Sequence, residues 1–188
     1  MDPKTKTAFS LEGLLKTISA QQYPPVEKWN PDFCGDIDMC IKSDGTWFYM
    51  GSPISRARMV KLFSTVLRKD SDGKTYLVTP VEKIGIHVED APFVAVSLEA
   101  GSHKGKQSLI FETNVGDKVL AGKDNPITVI TDAETGEPRP YVRVRGNLDA
   151  LISRSVFYQM VELASQRGNN LVVESDGEQF VLGVWSEA

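Results

Sequence analysis

The sequence predicts an α+β protein of two related halves, each a mostly antiparallel sheet packed with one amphipathic helix, plus a short N-terminal helix. Three observations predict this class. Short segments alternate apolar and polar residues and end at turn glycines, as β-hairpins do. Two other segments repeat apolar residues at helical spacing. The order of hairpin, glycine, helix and strands then occurs twice along the chain.

The N-terminal region, residues 1–35, is predicted to hold a helix and an irregular arm. Ser10 can cap this helix, because its hydroxyl can accept a hydrogen bond from a helix amide that has no other partner. The helix must end before Pro24 and Pro25, since proline cannot continue a helix. Its apolar stripe is predicted to contain Leu11, Leu14, Leu15 and Ile18.

A first β-hairpin, helix and strand unit is predicted over residues 36–101. The hairpin turns at Gly45, which accepts positive φ, and returns through residues 46–50. Ser52 is expected to cap the following helix, with Pro53 at its first position. Strands are expected near residues 76–79, 84–88 and 93–98. The buried stripe of the helix is predicted to contain Met59, Leu62, Phe63, Val66 and Leu67.

A second, structurally related unit is predicted over residues 102–188. Residues 100–106 are small and polar and resemble a linker, which places the boundary there. Asn147 is expected to cap the helix of this unit, and a final hairpin follows it. Ile54-Ser55-Arg56 recurs as Ile152-Ser153-Arg154, which favours a duplication. Two similar units packed together leave a groove, where ligand sites are common.

Composition and charge exclude several classes of protein. Apolar residues make up 41% of the chain and charged residues 24%, which is typical of a globular protein. The net charge is −4 and there is no basic run, so duplex nucleic acid is not an expected partner. The sequence shows no signal peptide and no apolar run near the roughly 20 residues that cross a bilayer. We therefore expect a cytoplasmic protein without a membrane partner, with Cys34 and Cys40 reduced.

Several motifs of known chemistry are missing from the sequence. There is no glycine-rich phosphate loop, His-Glu-x-x-His motif, nucleophile elbow or zinc pattern. We therefore predict no catalytic residue and no cofactor, and a function without catalysis is favoured.

Six stretches resemble one bacterial family. They are PPVEKWNPDFCGDIDM, DGTWFYMGSPISR, YLVTPVEKIGI, VEDAPF, FETNVGDKV and PYVRVRGNLDALISRSVFY. In these stretches the chain resembles the family called domain of unknown function 1285, from about Pro24 to Val184. The resemblance implies a two-domain fold of repeated motifs, a cleft between the domains that suits a nucleotide-like ligand, and a role in signalling. It implies no catalytic residues.

A pair of carboxylates is the first candidate site. Asp36 and Asp38 share one face of a predicted strand, about 6.5–7 Å apart. Such a pair can bind Mg²⁺ together with a phosphate. The alternative is the polar outer face of a half-buried strand, which alternation alone predicts and which we favour.

A basic cluster is the second candidate. Tyr141, Arg143 and Arg145 share one face of a predicted strand, and guanidinium groups offer forked donors to phosphate or carboxylate. Arg154 lies nearby in sequence, and Arg56 is its equivalent in the first half. In an acidic protein this cluster is the best candidate for an anion site. The alternative is a solvated sheet face whose arginines pair with carboxylates.

Four further residues are weaker candidates for ligand contacts. Trp47, like Tyr141, can stack on a ligand ring. Thr113 and Asn114 end a strand, where they form a turn or hydrogen-bond a ligand. Lys83 is on a predicted strand beside His87, and an exposed polar face is the competing interpretation.

These candidates support three hypotheses in order of preference. The first is a small-molecule-binding protein whose interdomain cleft holds an anionic, nucleotide-like ligand, with a role in signal transduction. The second is a protein–protein adaptor in a signalling pathway. The third and least supported is a Mg²⁺-dependent enzyme that uses Asp36 and Asp38.

Overall fold

A computed structural model describes residues 11–185, without the side chains of residues 11–14 and 17. This part of the chain contains three α-helices, α1 Leu11–Ala20, α2 Ala57–Thr65 and α3 Arg154–Leu163, and fifteen β-strands. The helix predicted at the N-terminus is present as α1. The predicted Ser10 cap and the stripe positions Leu11 and Leu14 lie outside the described residues and side chains.

The first unit is one six-stranded sheet in the order β3-β2-β1-β6-β5-β4. Each half of this sheet is an antiparallel meander, and the two meanders join where β1 and β6 run parallel. Helix α2 connects the meanders. The strands are β1 Phe33–Ile41, β2 Trp47–Tyr49, β3 Ser52–Pro53, β4 Leu67–Lys69, β5 Thr75–Val78 and β6 Lys83–Val88.

The second unit contains a six-stranded sheet in the order β10-β11-β12-β7-β8-β9, and a three-stranded sheet in the order β13-β14-β15. Strands β7 and β12 form the parallel centre of the larger sheet. The strands are β7 Phe93–His103, β8 Lys106–Thr113, β9 Lys118–Leu120, β10 Ile127–Thr131, β11 Pro138–Arg145, β12 Leu148–Ile152, β13 Ser165–Arg167, β14 Asn170–Ser175 and β15 Glu178–Val184.

The predicted fold class is confirmed, because both units repeat one order of elements. Three strands, a helix and three strands occur as β1-β2-β3-α2-β4-β5-β6 and again as β10-β11-β12-α3-β13-β14-β15. Strand β15 contacts β10 from a separate sheet, whereas in the first unit β6 pairs with β1 within one sheet. The meander β7-β8-β9 stands between the two copies and extends the second sheet.

The predicted starts of both long helices are wrong. Ser52 and Pro53 form strand β3, and α2 begins at Ala57. In the second unit Leu148–Ile152 is strand β12 and α3 begins at Arg154. Residues 148–152 alternate between buried and half-buried side chains, which is the period of a strand rather than of a helix.

The predicted buried stripe of α2 is also partly wrong. Met59 and Leu62 are 39% and 64% exposed, whereas Met160, the position matched to Leu62 in α3, is fully buried. Helix α3 packs between β7 and β14. Helix α2 instead turns Phe63 onto Trp47 and its buried Ser64 toward the second unit. The two helices therefore share a position in the repeat but bury different faces.

The expected linker at residues 100–106 is wrong as well. These residues form the tip of the β7–β8 hairpin, where His103 pairs with Lys106 across a turn. Lys104 and Gly105 both have positive φ, which small polar turns accommodate. The predicted boundary at residues 101 and 102 falls inside strand β7, which belongs to the second sheet.

One apolar core extends through both units. Trp47 and Leu67 of the first unit pack in the same cluster as Phe93, Phe111 and Val142 of the second. The shared core fixes the two sheets against each other, so side chains at their junction have defined neighbours. Within residues 11–185, no helix is long and apolar enough to cross a membrane.

Candidate functional site

The two units meet along a seam, and the side chain of Asn114 bridges it. Its amide nitrogen donates to the carbonyl of Gly45 at 3.3 Å, and its amide oxygen accepts the Val94 N–H at 3.0 Å. Gly45 belongs to the β1–β2 turn of the first unit, and Asn114 follows β8 of the second. The turn of one sheet is therefore fastened to the strand ends of the other.

A groove of about 560 Å³ opens beside this bridge, and we call it the α2 groove. Its walls come from the β1–β2 turn (residues 45–47), the start of α2 with the loop before it, and Asn114 and Val115 of the second unit. From the start of α2 and its preceding loop the lining residues are Ile54, Ser55, Ala57, Arg58, Val60 and Lys61.

The α2 groove is positively charged. Its described lining contains Arg58 and Lys61 and no acidic side chain. Within residues 11–185 Arg58 makes no ion pair with a carboxylate. The first amides of α2 also have no acceptor inside the helix, and the N-cap residue Arg56 makes no side-chain capping bond. Cations and a helix N-terminus together favour a bound anion.

Behind the groove lies a buried carboxylate, Asp117, which is 2% exposed. Lys61 of α2 pairs with one of its oxygens, and Arg145 Nη1 lies 3.0 Å from the other. Thr113 Oγ1 accepts the backbone N–H of Asp117 at 3.1 Å and shapes the β8–β9 turn. Two cations, Lys61 and Arg145, thus contact this one carboxylate, while Arg58 of the groove lining makes no ion pair within residues 11–185.

Arg145 is held on every side. Its guanidinium also donates to the carbonyl of Ser64 in α2 at 2.5 Å and stacks 4.1 Å from the ring centre of Tyr23. Burial raises the pKa of Tyr23 to about 12, and the charge of Asp117 acts in the same direction. Arg145 therefore joins the arm, α2 and the second sheet, and it is a structural link across the seam rather than an open anion ligand.

Trp47 lines the floor of the α2 groove and is 1% exposed. The ring of Phe63 covers one of its faces, with ring centroids 6.3 Å apart and planes inclined by 22°. Trp47 therefore does not present the open ring face that its predicted stacking role requires. Its indole N–H is buried and finds no acceptor among the described residues.

Tyr141 and Arg143 line or adjoin a different cleft in the seam, about 260 Å³ in volume. The Tyr141 hydroxyl donates to Asp90 at 2.8 Å, and burial together with this bond raises the pKa of Tyr141 to about 12. Arg143 Nε donates to Asp149 at 2.5 Å. The arginines on this face of β11 are therefore paired with carboxylates, Arg143 with Asp149 and Arg139 with Asp90. The structure does not gather the predicted arginines into one basic site.

Arg154 lines a third groove, of about 390 Å³, at the start of α3. This α3 groove is the repeat equivalent of the α2 groove, because Ile152 occupies the place of Ile54. The positions of Arg58 and Lys61 are taken there by Val156 and Gln159, and Glu137 adds negative charge to the lining. Arg56, the counterpart of Arg154, is exposed beside the α2 groove but does not line it.

The remaining candidates lie on the first sheet. Asp36 and Asp38 are both exposed, and Asp36 lies over the backbone of Gly85 on the neighbouring strand. Lys83 pairs with Asp70 at 2.7 Å and covers the ring of Tyr76 at 4.2 Å. No group of three or more potential metal ligands occurs in the part of the chain that the structure describes.

Sequence reasoning identified Trp47 and Asn114 but missed Arg58, Lys61 and Asp117. Arg58 and Lys61 are three residues apart on one helix, so they share a face, and this spacing was the available signal. Asp117 lies in a Gly-Asp turn segment that is typical of a solvated loop. Only the packing of α2 against the second unit shows that this carboxylate is buried.

Comparison with known proteins shows which family the chain belongs to. The family model for the N-terminal domain of DUF1285, a domain of unknown function, matches residues 24–91. The model for the C-terminal domain of the same family matches residues 92–182. The chain belongs to the DUF1285 family. The resemblance seen in the sequence is thereby confirmed.

Two solved structures of this family resemble the chain. A DUF1285 family protein from Silicibacter pomeroyi DSS-3 is 49% identical, covering 92% of this chain and 95% of the other, with a TM-score of 0.81. A DUF1285 family protein from Shewanella baltica OS155 is 26% identical, covering 66% and 90%, with a TM-score of 0.51. No curated protein matches the chain.

Proposed function

We propose that this protein binds a small anionic molecule in the α2 groove, without catalysis, and that binding serves a signalling role. One observation carries the proposal: Arg58, which makes no ion pair within residues 11–185, and the uncapped start of α2 both lie at a groove whose described lining has no acidic side chain. Because both units line the groove, a bound ligand would contact both. Binding would then alter how the units hold together, which is what a signalling role requires.

The volume and lining of the groove indicate which kind of ligand it can hold. Its volume of about 560 Å³ falls in the range of small-molecule sites. Apolar side chains of Ile54, Val60 and Val115 line it beside the cations. We therefore propose a ligand with an anionic end at the start of α2 and an apolar body over these residues, a description that a nucleotide-like molecule satisfies.

The proposal also includes a cellular compartment and binding without a cofactor. Cys34 and Cys40 are unpaired thiols, which suits the reducing cytoplasm. We propose that the protein acts there and that the ligand binds directly to protein groups.

A substitution with a matched control tests the proposal. Phenyl phosphate at millimolar concentration should raise the melting temperature of the wild-type protein. Arg58→Gln should lose most of this rise, because it removes a cation from the lining of the groove. The variant should still fold, since Arg58 makes no ion pair within residues 11–185. Arg154→Gln, in the α3 groove, should retain it. No rise in the wild-type protein across a panel of aryl phosphates and nucleotides would reject anion binding.

The second candidate function is a protein–protein adaptor, and exposed apolar side chains on the first sheet favour it. Phe33, Ile37, Tyr49 and Met50 are all exposed on or beside strands β1 and β2. A partner that binds this surface should be lost by Met50→Glu and retained by Arg58→Gln. The reverse pattern would assign partner binding to the α2 groove instead.

A further inference from the structure

We propose that the exposed side of helix α2 is a docking surface for an acidic amphipathic helix of a partner protein. We call this side the α2 outer face and define it by Arg56, Arg58, Met59 and Leu62. The partner helix places apolar side chains on Met59 and Leu62 and carboxylates beside the two arginines. This surface is distinct from the α2 groove, because Met59 and Leu62 do not line the groove.

The α2 outer face exposes apolar side chains to solvent. Met59 and Leu62 are 39% and 64% exposed, and their spacing of three residues makes them neighbours on one side of the helix. Ser64, which is fully buried, lies on the other side of α2, since two residues turn an α-helix by more than half a circle. The helix therefore presents a short ridge of two large apolar side chains to solvent.

The repeat shows a covered version of the same helix side. Val156 and Met160 of α3 are buried where this helix packs between β7 and β14. Their counterparts in α2 are Arg58 and Leu62, and both are exposed. Strands β4, β5 and β6 stay in the main sheet of the first unit, whereas β13, β14 and β15 form a separate sheet. The side of α2 that strands cover in the second unit is therefore open in the first.

Charge indicates what kind of partner fits the α2 outer face. Residues 51–69 contain five basic side chains and no acidic one. Arg56 and Arg58 are exposed, and neither makes an ion pair within residues 11–185. Arg58 precedes Leu62 by four residues, so cation and apolar ridge adjoin on the helix surface. Carboxylates on a partner complement these cations, whereas α2 of a second copy would bring the same positive charge.

The size of the surface favours a helix over a membrane. One partner helix can cover two apolar side chains a single turn apart, because the ridges of one helix pack into the grooves of another. Binding to a bilayer depends on the apolar area buried in it, and two exposed side chains on a helix of nine residues provide little.

Fluorescence anisotropy with two designed peptides tests the proposal. Both peptides form an amphipathic helix with leucines along one face. One carries glutamates beside the leucines and the other carries lysines there. The glutamate peptide should bind the wild-type protein about ten-fold more tightly than the lysine peptide, because Arg56 and Arg58 attract the one and repel the other. Equal binding of the two peptides, or no binding of the glutamate peptide, would overturn the proposal.

Two variants locate the binding on α2. Leu62→Glu should weaken the glutamate peptide by about ten-fold or more, and its melting temperature should stay near that of the wild type because Leu62 is mostly exposed. Tyr158→Glu is the matched control at an exposed position of α3, and it should bind the peptide as the wild type does. Undiminished binding to Leu62→Glu would show that the peptide binds elsewhere and would reject the α2 outer face.

The Leu62→Glu variant also distinguishes two other occupants. A wild-type dimer in sedimentation that this variant converts to a monomer would assign the α2 outer face to a second copy of the chain. Binding of the wild-type protein to phosphatidylserine vesicles, lost in the variant, would assign it to a membrane. Either result would overturn the acidic partner helix.

Discussion

Arg145 Nη1 lies 3.0 Å from the carboxylate of Asp117, which is itself buried while the arginine side chain is 18% exposed. The same guanidinium donates to the carbonyl of Ser64 in α2, and Lys61 of α2 pairs with the same carboxylate. A strand and a turn of the second unit are thus tied to the helix of the first. The wall of the α2 groove depends on this link.

Asp117→Asn should destabilise the protein by about 3 kcal/mol, because it leaves the cations of Arg145 and Lys61 without their buried partner. Urea denaturation measures this free energy of unfolding. Glu112→Gln is the control, since Glu112 forms a more exposed pair with Lys118 and should cost less than about 1 kcal/mol. Equal losses in both variants would show that the Asp117 cluster does not hold the seam.

Gly45→Ala should destabilise the protein more than Gly73→Ala. Both glycines have positive φ, +88° and +79°, so both substitutions strain the backbone by roughly 1 kcal/mol. A Cβ at Gly45 would also lie 2.6 Å from the side-chain nitrogen of Asn114, whereas a Cβ at Gly73 meets nothing. The melting temperatures of the two variants measure this difference. Equal melting temperatures would mean that the Asn114 side chain can move away from the added Cβ at little cost in stability.

Tyr141→Phe should lower the free energy of unfolding by about 1 kcal/mol, because Asp90 loses the hydrogen bond from the Tyr141 hydroxyl. Since the pKa of Tyr141 is raised to about 12, this contribution is complete below the ordinary tyrosine pKa near 10 and is lost as the pH rises through 12. Tyr158→Phe, at an exposed position, is the control and should be neutral. A loss that did not diminish at high pH would exclude the hydroxyl as its source.

Acid should weaken the first unit through Asp70. Burial acts to raise the pKa of this carboxyl, but the hydrogen bonds and charges of Arg68 and Lys83 outweigh it and lower the pKa. A carboxyl with a lowered pKa stabilises the fold above its unfolded pKa of about 4, and this contribution disappears as the pH falls through the folded value. Stability measured against pH should therefore differ most between wild type and Asp70→Asn near neutrality, and the two curves should converge in acid. Parallel curves would refute the assignment.

The repeat and the hairpins could be predicted from the sequence, because alternation and turn glycines are local signals. The helix starts could not, since Ser52-Pro53 is a favoured start that the sheet uses as an edge strand. The face that α2 buries depends on Ser64 and Lys61 meeting the second unit, and no local pattern contains that contact.

The candidate site divides in the same way. Trp47 and Asn114 carry signals that a sequence shows, an aromatic residue in a hairpin and a polar strand end. Arg143 and Arg145 share a face as alternation predicts, yet each is paired with a carboxylate brought near by folding. Asp149 lies on β12, which pairs with the strand of Arg143, and Asp117 lies on the turn between β8 and β9, far from Arg145 in sequence. The fold, and not a local pattern, therefore brings these carboxylates to the two arginines.

The most direct test of the α2 groove is a crystal of the wild-type protein soaked in 4-bromophenyl phosphate, with bromine located by anomalous diffraction. We expect the phosphate within hydrogen-bond distance of Arg58 and the first amides of α2, and the bromine peak between Ile54 and Val115. A peak in the Tyr141 cleft or the α3 groove with the α2 groove empty, or no peak at all, would contradict anion binding at this seam.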